Sequence, residues 1–237
     1  MLYIRRANER GTANFGWLNS HHSFSFGHYY DPRHMGISAL RVINDDEVAP
    51  GAGFDTHGHR DMEIISYVLE GAIEHKDSMG NQFVVPAGEV QRMSAGTGIT
   101  HSEFNHSAER PLKFLQIWIQ PNQLGIKPGY EQKAIAQKGT LTPLVTPDGR
   151  EDSLSIHQDA DLFRLELNPE NSEQDQEVDL QYQRACGYLH IISGQAEIIT
   201  DSQSLSFSAG DALAIQDETL KVRSKDKLTA LWFDLPG

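Results

Sequence analysis

The 237-residue sequence holds one cysteine, 20 Lys and Arg against 33 Asp and Glu, and no apolar run near the ~20 residues that cross a bilayer. Cys186, being alone, cannot close an internal disulfide and reads as a small hydrophobe rather than a nucleophile. The start, Met1-Leu2-Tyr3-Ile4-Arg5-Arg6, also lacks the apolar stretch of a signal peptide, so a soluble, cytoplasmic protein with no membrane partner is expected. A formal charge of −13 excludes the usual basis of nucleic-acid binding, because Lys and Arg must neutralise phosphates. It disfavours anionic membrane surfaces for the same reason.

Long helical periodicity is scarce as well. Short apolar or alternating runs recur instead, bounded by Gly, Pro, Asn and Asp, which is an all-β signature. Strands are expected over Ile37 to Ile43, Glu63 to Leu69, Phe83 to Pro86, Leu115 to Ile119, Gly187 to Ile192, Gln195 to Thr200 and Leu228 to Phe233. Turns are expected at Asn44-Asp45-Asp46, Asp77 to Asn81 and Thr146 to Gly149. The two halves repeat one another: Tyr67 to Glu74 reads like Leu189 to Glu197, and Pro86-Ala87-Gly88-Glu89 like Ser208-Ala209-Gly210-Asp211. Two copies of one β unit follow, residues 1–135 and 136–237, joined through the polar stretch Pro121 to Arg150. A second polar run, Asn168 to Asp179, reads as a mobile excursion.

Eleven histidines stand out against this background. His57-Gly58-His59 places two imidazoles on one face of a strand, since residues two apart point the same way. His101-Ser102-Glu103 repeats the device with an imidazole and a carboxylate. If the strands pair, these four groups converge, and neutral imidazoles with a carboxylate suit one divalent transition metal among Fe, Mn, Co, Ni, Cu and Zn. By period two, Glu63 shares a face with His57 and His59, so spacing alone admits either Glu63 or Glu103 as the carboxylate. His75, His106 and His157 have no partner at ligand spacing. His21, His22, His28 and His34 read as mostly solvated, and Phe24, Phe26, Tyr29 and Tyr30 as core or the wall of an aromatic pocket.

The spacing Gly51, His57-x-His59, Glu63, followed by Gly80, Pro86-x-Gly88, His101 and Asn105, resembles the two motifs of the cupin superfamily. Gln91 stands where the general pattern has histidine. Ser23-Phe24-Ser25-Phe26-Gly27, Tyr30-Asp31-Pro32, Leu40 to Asp46 and Ser94 to Ile99 before His101-Ser102-Glu103 look like the pirin family of bicupins, closest to its bacterial quercetin 2,3-dioxygenases. Gly58 departs from the family's usual proline. The resemblance implies two cupin barrels, with His57, His59, His101 and Glu103 as metal ligands and Glu63 orienting an imidazole. It implies a dioxygenase that opens the heterocyclic ring of a flavonol with O2, releasing carbon monoxide and a depside, with Glu103 as general base. The alternative is a pirin-type regulatory protein acting through protein partners. Aligning Gly194 on Gly71 puts Leu180, Tyr182 and Cys186 at the places of His57, His59 and Glu63, so the second barrel is expected to hold no metal.

Overall fold

The computed structural model describes residues 2–168 and 176–237. They are built almost wholly of antiparallel strands and fall into two compact units. One comprises Arg10–Ile135 and Pro147–Gln158; the other comprises the described parts of Met1–Glu9, Ala136–Thr146 and Asp159–Gly237.

In the first unit a large sheet runs in the order Gly129–Ala134, Glu89–Ser94, Glu63–Glu70, Leu112–Ile119, Leu40–Val48, Leu18–His22, Gly11–Asn14. A small sheet runs Gly53–His59, Ile99–Asn105, Ala72–Asp77, Gln82–Pro86. The second unit repeats this plan. Cys186–Ser193 lies between Ala212–Ile215 and Leu228–Leu235, as Glu63–Glu70 lies between Glu89–Ser94 and Leu112–Ile119. Its small sheet is Gln176–Leu180, Leu220–Ser224, Gln195–Thr200, Ser204–Ser208. The strand flanking Ala212–Ile215 is Leu2–Arg5, the counterpart of Gly129–Ala134 on Glu89–Ser94.

Several sequence expectations shift. Asn44-Asp45-Asp46 is no turn: it lies inside Leu40–Val48, paired on one side with Leu112–Ile119 and on the other with Leu18–His22. Two-sided pairing overrides the local turn preference. The strand expected to begin at Ile37 begins at Leu40, because Ser38 takes a left-handed φ of 53° in a turn closed by the Ile37–Leu40 bridge. The stretch Pro121 to Arg150 is more than a linker, since it contributes Gly129–Ala134 and Leu141–Thr146. Of the run Asn168 to Asp179, the end belongs to the strand Gln176–Leu180, and residues 169–175 lie outside the described ones.

The inner faces follow from strand alternation. Along Glu63–Glu70 the inward series is Ile64, Ser66, Val68, and along Leu112–Ile119 it is Phe114, Gln116, Trp118. Phe114 and Val68 join Ile73, Val85 and Leu112 in one apolar cluster, while Ile64 joins Met93, Ala95 and Ile99 in another that Trp118 packs against. Each such buried side chain contributes about 1.5–3 kcal/mol. The strands therefore hold a polar layer between two apolar ones, and Ser66, Gln91, Gln116, His101 and Glu103 belong to that layer.

Candidate metal centre

Gly53–His59 and Ile99–Asn105 are neighbours, with His101 directly opposite His57 and Ile99 opposite His59. Beyond His101 the register shifts: Glu103 faces Phe54, so Asp55 and Thr56 together oppose Ser102. This bulge turns both Asp55 and Thr56 to solvent and lets Phe54 and His57, three residues apart, share the inner side. On the partner strand alternation is regular, with Ile99, His101, Glu103 and Asn105 buried.

The three imidazoles meet through their Nε2 atoms. His59 Nε2 lies 3.0 Å from His101 Nε2, which lies 3.1 Å from His57 Nε2. One nitrogen carries a single proton or a single lone pair, so three meeting in this way compete for one hydrogen bond. A shared cation would engage all three lone pairs. Two nitrogens at about 2.1 Å from one ion stand about 3.0 Å apart at a right angle and about 3.4 Å apart at the tetrahedral angle. The observed separations are of the size that one shared ion would require.

Protonation also fits. His57 Nδ1 sits 2.7 Å from the Asp55 carbonyl oxygen, a contact that places the proton on Nδ1 and leaves Nε2 free. Burial, reinforced by His101 and His57, pushes His59 down to about 4. Burial likewise pushes His101 down to about 4, against the pull of the Glu103 carboxylate. Both rings are neutral at pH 7, the form that binds metals. Trp118 packs edge-on against His59, ring centroids 5.0 Å apart, and fixes its plane.

Glu103 is buried and held on both oxygens. Gln91 Nε2 donates to Oε1 at 2.6 Å, the Ser66 hydroxyl approaches Oε1 at 3.2 Å, and Gln116 Nε2 donates to Oε2 at 2.8 Å. Tyr130 in turn donates to Gln91 Oε1 at 2.9 Å and fixes the orientation of that amide. Among the described residues two groups have the spacing to hold an ion: His57, His59 and His101, and, sharing His101, the trio His75, His101 and Glu103.

His75 is the residue that sequence spacing missed. It lies on a third strand, opposite Glu103, fully buried, with its ring 5.5 Å from that of His101. Its Nε2 is 3.0 Å from Asp77 Oδ2. Burial opposes ionisation of Asp77, but donors from His75, Asn81 and Met79 outweigh it and hold the carboxyl below its usual range. The ionised Asp77 thereby places the His75 proton on Nε2 and leaves a buried Nδ1 without a partner. The available signal was His75-x-Asp77, an alternating pair on the strand that follows Gly71.

Glu63 takes a different role from the one expected of it. Its Oε2 accepts from Ser94 at 2.8 Å, and Oε1 lies 3.5 Å from His157 Nδ1, so the imidazole beside it is His157 rather than one of the three clustered rings. His22, read as solvated, is buried. In the second unit Leu180 and Cys186 are buried, burial pushes the Cys186 thiol up, and the Tyr182 hydroxyl accepts from the Asp217 backbone N–H at 2.7 Å.

A family model for pirin matches residues 4–119, and one described as the quercetinase C-terminal cupin domain matches residues 143–235. A quercetin 2,3-dioxygenase of Escherichia coli K12 is 47% identical over 100% of this chain and 99% of its own. The chain belongs to the pirin family. A putative quercetin 2,3-dioxygenase of Pseudomonas aeruginosa is 43% identical over 94% of each chain. Among solved structures, the bacterial pirin YhhW of Escherichia coli in complex with nickel(II) superposes with a TM-score of 0.91, at 47% identity over 100% of this chain and 99% of that one. The two units are thus the two cupin barrels of a pirin, and the histidine cluster lies in the first.

Proposed function

We propose that this pirin opens the heterocyclic ring of a flavonol such as quercetin with O2, releasing carbon monoxide and a depside. The proposed site is one divalent transition metal held by His57, His59, His101 and Glu103. The observation that carries this reading is the meeting of three imidazoles at 3.0 and 3.1 Å, with a buried, oriented carboxylate two residues beyond His101. It is supported by full-length relatives named quercetin 2,3-dioxygenase and by the nickel complex of one structural neighbour.

A bound ion would supply Lewis acidity toward an enolic hydroxyl and an electron path from substrate to O2. The chain supplies the rest. Glu103 takes the 3-hydroxyl proton at Oε2, which carries one donor where Oε1 carries two. Gln91, Gln116 and Ser66 keep that carboxylate from rotating, so it meets the hydroxyl without reorganisation. The apolar layers around Ile73 and Ile64 exclude bulk water from either side of the polar one.

The test is aerobic incubation of protein loaded in turn with each first-row metal, following loss of flavonol absorbance and release of carbon monoxide. Turnover with at least one metal is expected. Absence of turnover with all of them removes the dioxygenase reading.

A further inference from the structure

The first unit contains a cavity of about 560 Å³ whose lining includes none of the clustered histidines. Its walls are aromatic: Phe15, Trp17, Phe26, Tyr29 and Phe54. Its floor is polar: Ser20, His22, Asn44 and Asp46. The strands Leu18–His22 and Leu40–Val48 pair Ser20 with Asp46 and His22 with Asn44, so the four form a two-by-two block on one face. All four are at least nine-tenths buried; the Ser20 hydroxyl turns to the Asp46 carboxyl, while His22 Nδ1 and Asn44 Oδ1 have no hydrogen-bond partner.

Buried polar groups without partners are costly, and a block of four polar residues with two such groups on one wall of one cavity is not explained by packing. A sequence selected only for stability would place Val or Leu at these inward positions, as it does at Val42 and Val48 on the same strand. The block has the composition of a recognition surface: two oxygens that accept, a hydroxyl that does either, and an imidazole nitrogen. Burial pushes Asp46 up to about 7, against the pull of the Ser20 hydroxyl, so near pH 7 the carboxyl is half neutral and can share a proton with a bound hydroxyl. Flat apolar walls over clustered acceptors suit a planar ring bearing hydroxyl groups. The cavity adjoins the histidine cluster through ring contacts, His22 to Phe26 at 5.4 Å, Phe26 to Trp118 at 5.3 Å and Trp118 to His59 at 5.0 Å.

We propose that this chamber is the recognition site for the hydroxylated ring of a phenolic ligand, with Asn44 and Asp46 accepting from its hydroxyls and Ser20 and His22 completing the set. The proposal rests on the phenolic class of substrate named above but on different residues, and it can fail separately.

The probes are quercetin and 3-hydroxyflavone, which has the same fused rings without the other hydroxyls. Binding to the nickel-loaded protein is measured by calorimetry without O2, so that no turnover intervenes. Wild type is expected to prefer quercetin by at least about tenfold. Asp46→Leu should abolish that preference while leaving 3-hydroxyflavone affinity within about threefold, and Asp46→Asn, which keeps an acceptor, should retain it. His22→Phe gives a second reading should Asp46→Leu fail to fold, which its melting temperature reports; it should at least halve the preference. No preference in wild type, or a preference that survives both Asp46→Leu and His22→Phe, overturns the proposal. Preferential binding without turnover in air leaves the chamber standing and removes the dioxygenase reading. Turnover without a floor-dependent preference does the reverse.

Discussion

Glu103 follows His101 closely in the sequence as Glu63 follows the pair His57 and His59, and both are buried, yet their surroundings separate them. Glu103 carries three side-chain donors and shares a group with His101; Glu63 accepts from Ser94 and lies beside His157. Glu103→Gln and His101→Ala are expected to lower bound metal by at least about tenfold, and Glu63→Gln to keep it near stoichiometric, as measured by elemental analysis after dialysis. Loss of metal from Glu63→Gln with retention in Glu103→Gln would reverse the assignment. A second residue-scale expectation concerns pH. Asp46 titrates at about 7 in the fold against an ordinary 3.8, so between these values the folded chain holds the additional proton. Its contribution to stability is full below about pH 4 and declines as pH rises through 7. Asp46→Asn removes the decline, so in urea unfolding the variant should gain on wild type between pH 5 and pH 8. His59 and His101, shifted down, slope the opposite way in both proteins and cancel from the comparison.

At the scale of elements, the histidine pair and the His-x-Glu tooth were legible in the sequence because strand alternation has a fixed period. Most central strands were legible too, since apolar runs such as Leu228 to Phe233 need no partner to be recognised. What could not be read was register. Nothing in the chain before folding states that Glu103 lies opposite His75, or that Ser20 lies opposite Asp46. His75 and the polar floor were therefore missed, and Asn44-Asp45-Asp46 looked like a turn because three turn-forming residues in a row outweigh their neighbours until two adjacent strands are present. The bulge at Asp55 and Thr56 is a feature of the same kind. Deleting Thr56 should regularise the ladder while leaving Phe54 and His57 two apart and both inward, since Asp55 alone would then oppose Ser102. The expected readouts are retained metal and a melting temperature close to that of the wild type, with the Trp17–Phe54 edge contact at 5.2 Å kept. Loss of metal from the deletion variant would show that the bulge itself is needed to aim the histidines.

At the scale of the molecule, the two units share a plan, and among the described residues the histidine cluster lies in the first. The three tryptophans divide between them: Trp17 and Trp118 lie in the first unit, and Trp232 in the core of the second. An ion that binds only the folded first unit stabilises it by about 2.7 kcal/mol at a hundredfold excess over its Kd. Chelation should accordingly lower the unfolding temperature reported by Trp118, and a Trp118→Phe variant should lose most of the fluorescence response to metal while keeping the calorimetric shift. A response carried by Trp232 alone would place the ion in the other unit.

The strand Leu2–Arg5 bears on how such a chain comes to be folded at all. It borders Ala212–Ile215, and the neighbouring Arg6–Asp211 ion pair at 3.1 Å joins residues 205 positions apart. During synthesis this segment is made well before Ala212–Ile215 and waits for it. The strands of the first barrel's two sheets are all made by Ala134, with only the segment Pro147–Gln158 to be added, whereas the second cannot complete its large sheet until Ala212–Ile215 and Leu228–Leu235 follow. The second barrel is thus the late, long-range step of folding, and the barrel that carries the histidine cluster is spared most of that delay.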